Sequence, residues 1–220
     1  MTASAPGPAP RGPGASTPDP LGRAAYRRDP RDLAPDLLGK VLVHDDPVAG
    51  PRTGRIVEVE AYCGAADPGS HAFRGMTARN RTMFGPPGAL YVYFTYGMHW
   101  CANVVCGDDG EGVAVLLRAL VPLTGVDAMR VARPRARRLR DLCSGPAKLC
   151  QAFGLDGSFD GADLVTADRG VWVGDDGTPP PAHPFQTTRI GLSAGSEHPW
   201  RWCVPGDPHV SGTVAMRGPM

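Results

Sequence analysis

Gly54-Arg55-Ile56-Val57-Glu58-Val59-Glu60-Ala61-Tyr62 alternates apolar and polar residues closely enough to read as a β-strand. A strand's period of two places Val57, Val59 and Ala61 on one face. Ile56, Glu58, Glu60 and Tyr62 fall on the other, so one face packs a core while its reverse carries two carboxylates and a phenol. His71 follows nine residues after Tyr62. Acids ending beside an aromatic, then a loop with His, suggest a pocket that performs acid/base work on something flat. The same run also reads as an ordinary amphipathic edge strand, and the choice between the two rests on the rest of the chain.

Working outward, residues 63 to 88 form a long loop region punctuated by Asp67-Pro68-Gly69 and Gly85-Pro86-Pro87-Gly88, and loops of that length in compact domains are usually functional. Leu90 to Thr95 and His99 to Val105 predict two strands joined through Tyr96-Gly97-Met98. The glycine permits a tight reversal that sets Tyr96 at or near an exposed hairpin tip. After the turn Gly107-Asp108-Asp109-Gly110, Val113 to Leu120 is an apolar strand with Ala114, Leu116, Arg118 and Leu120 on one face. An arginine there needs an anionic partner, whether in a structural ion pair or in chemistry. On the N-terminal side, Asp36-Leu37-Leu38-Gly39 closes a short helix ahead of a strand over Lys40 to Val43. On the C-terminal side, a helical stretch from Gly125 carries an arginine cluster, a helix starts near Pro146, and Thr188-Arg189-Ile190-Gly191-Leu192 is a last short strand. Strands with helices before and after them predict an α+β fold rather than repeated βαβ units. Residues 1 to 25, rich in Pro and Gly, predict a disordered tail, which leaves 26–220 as the domain.

The 220 residues carry a net charge of +1, which names no partner. Arg130, Arg133, Arg135, Arg137, Arg138 and Arg140 crowd one stretch, and Arg74, Arg79 and Arg81 another; such clusters suit a polyanion or a solvated helix face. No apolar run approaches the ~18 residues of a membrane span, and no secretory signal is visible, so a cytoplasmic, nucleoid-associated protein is expected. Six cysteines show no C-x-x-C spacing and mostly lie in apolar runs. They predict reduced core thiols with no metal site and no structural disulfide.

Glu58-Val59-Glu60-Ala61-Tyr62, Asp67 to His71, Arg79 to Phe84, Pro87 to Met98, Leu116-Leu117-Arg118-Ala119 and Ser144 to Gln151 together resemble the alkyladenine (3-methyladenine) DNA glycosylase family, in that family's order and over roughly residues 31 to 215. The resemblance implies one mixed domain around a curved antiparallel sheet, flanked by helices, with a β-hairpin projecting into DNA. It makes Glu60 the general base and Arg118 a holder of the attacking water, with the main-chain carbonyl of Ile190 as the water's remaining ligand. Tyr62, His71 and Tyr93 would enclose the flipped base, Leu116 would wall the pocket, and Asn103 would crowd the exocyclic amino group of a normal guanine. Tyr96 would fill the gap left by the base, with Met98, Arg79, Arg81 and Lys148 on the DNA side. Val59 and Cys63 depart from the family pattern, and Cys63 adjoins the pocket tyrosine.

What the resemblance implies agrees with the chemistry. Cleaving an N-glycosidic bond builds positive charge on the sugar, so a carboxylate beneath it can activate water and stabilise that charge. An alkylated purine already carries positive charge and leaves readily. No lysine occupies a position that the family pattern makes catalytic, so the resemblance implies a monofunctional enzyme; it is expected to act on double-stranded DNA with damaged bases, without cofactor and as a monomer. Two other classes remain open: a non-catalytic module that captures damaged nucleic acid, and a metal-dependent hydrolase using His71 and acids.

Overall fold

The computed structural model describes residues 17–212. Its centre is β2 (Gly50–Tyr62), long enough to need several partners. One edge pairs along β5 (Val113–Thr124); the other pairs first with β1 (Val41–Asp46) and then, at Glu58 to Glu60, with β9 (Arg201–Cys203). Beyond β5 lie β4 (His99–Cys106), β3 (Ala89–Thr95) and β6 (Ala162–Asp163); beyond β1 lies β7 (Val171–Gly174), and β8 (Phe185–Thr187) pairs with β9. All pairings are antiparallel. With α1 (Arg23–Tyr26), α2 (Pro30–Leu37), α3 (Val126–Ala132) and α4 (Pro146–Phe153), this is the expected α+β architecture.

The strict period of two does not hold through β2. Ile56 pairs with Leu120, Glu58 with Ala119, and Val59 with Leu117, so Val57 and Arg118 are both left out of the ladder. Such a bulge turns successive side chains to the same side and bends the strand. Ile56 therefore joins Val59 and Ala61 in the main core, and Val57 packs across the sheet with Ala119, Cys203 and Val210. The same break moves Leu120 away from Ala114, Leu116 and Arg118 and into the main core with Val113, Val115 and Leu117. The edge-strand reading fails too: Glu58 and Glu60 are fully buried in an interior strand.

The main core lies between the sheet and the helices, where Leu33 and Leu37 of α2, Met129 of α3 and Leu149 and Phe153 of α4 meet Leu42, Ile56, Leu117 and Leu120. Each large aliphatic or aromatic side chain so buried contributes roughly 1.5–3 kcal/mol. Gly54 allows the close approach, since a Cβ there would lie 3.1 Å from Phe153 Cζ and 3.1 Å from Leu120 Cβ. Asp29 caps α2 by accepting from the Arg31 N–H at 2.8 Å, and Pro30 occupies the first turn. Pro146 starts α4 and Gly154, at φ +71°, ends it.

Several expectations are corrected. Of the expected tail, residues 1–16 lie outside the described residues, while Pro20 bridges Gly174, Leu21 N–H donates to Val173 O at 2.9 Å and Arg23 pairs with Asp163 at 2.6 Å. Residues 17 to 25 are thus tied to the open edge of β7 and to β6. The arginine cluster does not ride on one helix: α3 ends at Ala132, Arg133 to Arg138 follow irregular backbone and Arg140 lies in a 3-10 turn over Leu139–Asp141, with the Arg138–Asp141 pair and Arg133 on Gln151 as anchors. Thr188 to Leu192 is not a strand, because its polar groups turn inward to β2; the C-terminal strand is β9 instead.

Candidate active site

The bulge aims Glu58, Glu60 and Arg118 at the face of the sheet opposite the helices. Glu60 accepts from Ile190 N–H at 2.7 Å on Oε1, and from Tyr62 O–H at 3.0 Å and Arg118 Nη1 at 3.2 Å on Oε2. Glu58 Oε1 accepts from Arg118 Nε at 2.9 Å, Arg201 Nε at 2.7 Å and Ser211 O–H at 2.9 Å, and its Oε2 accepts from Ser211 N–H at 2.6 Å. Arg118 is thereby held flat between two fully buried carboxylates. Burial pushes the Glu60 carboxyl above its ordinary range, against the pull of Arg118, the Ile190 N–H and the Tyr62 hydroxyl. Burial opposes the charge on Arg118, yet Glu60 and Glu58 hold its pKa above the usual value.

In front of this cluster lies a cavity of about 310 Å³. Tyr62, Arg118 and Ile190 line it, and each of them contacts the Glu60 carboxyl. Tyr93 and Tyr91, two apart on β3 and so on one face, stack at 5.3 Å and 25° along one side. His71 stands at the rim, edge-on to Tyr93 at 4.5 Å, with Nδ1 3.2 Å from the Tyr91 hydroxyl. Burial and the nearby Arg79 hold its pKa below the ordinary histidine value. Leu116 and Asn103 face each other across β4 and β5 in the cavity wall, and Asn103 Nδ2 donates to Tyr91 O at 3.3 Å. A slot of this size, walled by rings and with a guanidinium at its end, suits a flat π-rich guest next to a site that can activate water.

The outer residues are spread around the mouth. Tyr96 lies on the reversal between β3 and β4, 78 % exposed, and lines the cavity opening. Its φ is +50°, an uncommon conformation for an aromatic residue, and Gly97 beside it is at +67°. Met98 is also exposed on the hairpin, and Arg79 braces it by donating to Phe94 O at 2.8 Å. Arg81 is exposed, and Lys148, on the first turn of α4, reaches Ser144 Oγ at 3.4 Å. Cys63 faces elsewhere: it borders a second cleft with Arg27, Arg31 and Trp200 and does not line the first, and burial pushes its thiol up to about 12. Val59 is in the main core.

Some site residues escaped the sequence reading. Tyr91, Met83 and Cys101 line the cavity, and of these Tyr91 was legible as the residue two before Tyr93 on one strand. Arg201 and Ser211, which complete the Glu58 cluster, come from β9 and the segment after it, and nothing in their local sequence marks them. Asp67 and Arg189 form a fully buried bidentate ion pair, although Asp67 reads as turn punctuation and Arg189 as part of a strand. Among the described residues no group of three or more His, Cys, Asp or Glu could hold a metal ion.

A buried acid and guanidinium at the end of an aromatic slot, with an aromatic-tipped hairpin at its mouth, define a class of protein that can stack a flat guest beside a group able to activate water. The comparisons give the family. Residues 24–208 match the family model described as methylpurine-DNA glycosylase. The chain is 57 % identical over 210 residues to a protein of Burkholderia lata named as a candidate 3-methyladenine DNA glycosylase, covering 96 % of this chain and 98 % of the relative. Similarly named proteins of Streptomyces avermitilis and Rubrobacter xylanophilus are 49 % identical over 194 residues and 50 % identical over 172, covering 87 % and 78 % of this chain and 91 % and 87 % of the relatives. The chain belongs to the methylpurine-DNA glycosylase family.

Proposed function

We propose that this protein is a monofunctional DNA glycosylase that excises alkylated purines such as 3-methyladenine from double-stranded DNA by flipping the base into the aromatic slot and hydrolysing the N-glycosidic bond. The observation that carries this reading is the placement of Glu60, which touches three cavity-lining groups and has its carboxyl raised by burial toward the pH at which a general base works best. Glu60 takes a proton from water held by Arg118 and the Ile190 carbonyl. The water oxygen bonds to C1′ of the sugar as the C1′–N bond breaks, and the electron pair leaves with the base. A cationic alkylpurine becomes neutral as it departs, so it needs no acid. The carboxylate also faces the positive charge that develops on the sugar.

Selectivity then has two sources. Stacking on Tyr62, Tyr93 and His71 is worth roughly 1–3 kcal/mol per base and is strongest for an electron-poor ring. Asn103 and Leu116 narrow the slot against the exocyclic group of guanine. Extraction of the base costs a few kcal/mol, which Tyr96 offsets by filling the vacated stack. Arg79, Arg81, Met98 and Lys148 contact the duplex around it. The catalytic domain begins ahead of residue 26, with Pro20, Leu21 and Arg23 tied to β7 and β6, and it acts as a cytoplasmic monomer on the nucleoid.

The test is base release from duplexes containing 3-methyladenine or hypoxanthine, comparing the native chain with Glu60→Gln. Equal rates refute the mechanism, and a variant that binds lesion DNA without releasing base supports it. Borohydride trapping of a covalent protein–DNA adduct would show an amine nucleophile and overturn the monofunctional assignment. Hypoxanthine and ethenoadenine belong in the same panel. A chain that captures the lesion but releases none of them is a binding module.

A further inference from the structure

We infer that Arg189, locked by Asp67, is a positioning residue that sets Ile190 against Glu60 and so controls how that carboxyl activates water. The inference rests on the reading of Glu60 as the base. The segment from Thr188 to Gly195 has no regular structure, so no strand ladder fixes where Ile190 lies. Arg189 is what ties it to the sheet. Its Nη1 donates to Asp67 Oδ2 at 2.5 Å and to Ala61 O at 3.0 Å, and its Nη2 donates to Asp67 Oδ1 at 2.7 Å and to Gly195 O at 2.9 Å. The guanidinium also lies over the Tyr62 ring at 4.7 Å and the Trp200 ring at 5.0 Å. Both charged side chains of the pair are wholly buried.

Asp67 carries the link further. It accepts from Cys63 N–H at 3.2 Å and Gly69 N–H at 2.9 Å, which folds the loop that leads to His71. One guanidinium therefore joins three walls of the cavity: the end of β2 with Tyr62, the loop with His71, and the segment with Ile190. The residue next to it places the N–H that bonds Glu60 at 2.7 Å and the carbonyl assigned to the water. A buried ion pair is costly, and hydrophobic side chains of similar volume would pack a wall more cheaply. Bidentate geometry fixes orientation as a single ammonium cannot, which suits a role in which angle matters.

The charged and titratable groups around Glu60 are Glu58 and Tyr62 on β2, Arg118 on β5, Tyr93 on β3, Cys101 on β4, and Arg189; from β9, Cys203 faces it and Arg201 reaches its neighbour Glu58. Of these only Arg189 acts on Glu60 both by its own charge and through the backbone N–H that follows it. Loosening Arg189 removes a donor to the carboxylate and draws a positive charge away. Both changes favour the protonated acid.

The experiment compares the native chain with Arg189→Lys and with the paired variant Asp67→Asn/Arg189→Gln, which leaves no unpaired buried charge. Single-turnover release of 3-methyladenine from duplex DNA is followed against pH, and binding to a duplex with a reduced abasic site is measured alongside. Expected are a plateau rate lowered by about 10- to 100-fold, an acid limb moved up by about one pH unit, the size of one lost charge-assisted hydrogen bond, and affinity within a few-fold of native. A purely structural pair would lower the active fraction and leave the limb in place, so a superimposable pH profile in a folded variant overturns the inference. Glu60→Gln run in parallel separates the two readings: native-like release by that variant refutes the assignment of the base, whatever Arg189 does.

Discussion

Glu58 and Glu60 lie two apart on one strand and share one arginine, yet the structure predicts opposite consequences for their amides. Glu58 accepts four hydrogen bonds, two of them from arginines, and an amide keeps three at most because its NH2 must face Ser211 N–H. Removing one partner from a buried charge cluster costs about 3–5 kcal/mol, and a domain of this size loses about 2–4 °C in Tm per kcal/mol, so Glu58→Gln should melt roughly 6–20 °C below native. Glu60→Gln keeps Arg118 and Tyr62 on its oxygen and gives up Ile190, a loss of about 1–3 kcal/mol. Against this, the neutral amide escapes the burial that raises the Glu60 carboxyl. The sign follows from that direction. A carboxyl raised above its unfolded value contributes stability that is full below 4.5 and lost as pH climbs through the folded value, so at neutral pH the ionised native acid is a net cost. Glu60→Gln should therefore melt close to native at pH 7 and compare progressively worse as the pH falls toward 4.5. Activity should show the reverse order, with Glu60→Gln slower by about 10²- to 10⁴-fold, the usual worth of a general base. Thermal melts across pH and single-turnover release on the same preparations are the assay. If Glu60→Gln destabilises as much as Glu58→Gln at neutral pH, or if its deficit shrinks on acidification, the division of labour between the two acids is wrong.

Replacing Tyr96 with alanine should slow release from duplex DNA by roughly 10- to 100-fold while affecting a single-stranded lesion much less, since only the duplex has a gap to fill; equal losses on both would remove its role as a wedge. Lys148→Ala should weaken binding to all sequences alike and reduce the slope of log K against log salt by about one, measured by anisotropy titration at several salt concentrations. His71 is held neutral by burial and Arg79, so its protonation sets in below the ordinary 6.5. Being depressed, it supports stability above 6.5 and withdraws it as pH falls through the folded value, and charged His71 should repel a cationic lesion. An acid-side loss of affinity for 7-methylguanine duplexes that disappears in His71→Gln would bear this out, and its persistence would sink it. Cys63→Ala should change release rates by less than about twofold, because side-chain changes that touch neither guest nor fold rarely cost more than ~0.5 kcal/mol.

The sequence carried the sheet well where the pattern is local. The hairpin between β3 and β4 was legible because a glycine in a short link between two apolar runs leaves few other conformations, and α2 and α4 because Pro and Gly punctuate them. It failed at the bulge. A period-two reading assumes that each residue has one partner, whereas Val57 and Arg118 have none in the β2–β5 ladder. That is a property of two strands together, and neither strand's own alternation announces it. The strand expected at Thr188 to Leu192 failed for a related reason: Arg189 finds its acceptors in Asp67 and Ala61, more than 120 residues away, and those bonds outweigh any local preference for extended pairing.

The bulge that defeated the pattern is also what makes the pair of acids possible. In a regular ladder Arg118 would occupy a paired position and Ile56 would share a face with Glu58, which would leave an apolar side chain where the charges meet. Slipping Val57 and Arg118 out of register turns Ile56 to the helices and brings Arg118 between the carboxylates at 2.9 and 3.2 Å. Antiparallel strands bend and twist more strongly at such a point, and the bend makes room for β9 to reach Glu58 with Arg201. Glu58 thereby receives enough donors to stay fixed, and the outer nitrogens of Arg118 go to Glu60 Oε2 and Ser211 Oγ, each at 3.2 Å, where the side chain also lines the cavity. The skips at Val57 and Arg118 offset one another, since the Ile56–Leu120 and Val59–Leu117 pairs share one register; deleting Val57 alone should then abolish base release even in a chain that still folds, because it would shift the acid against the arginine without removing either.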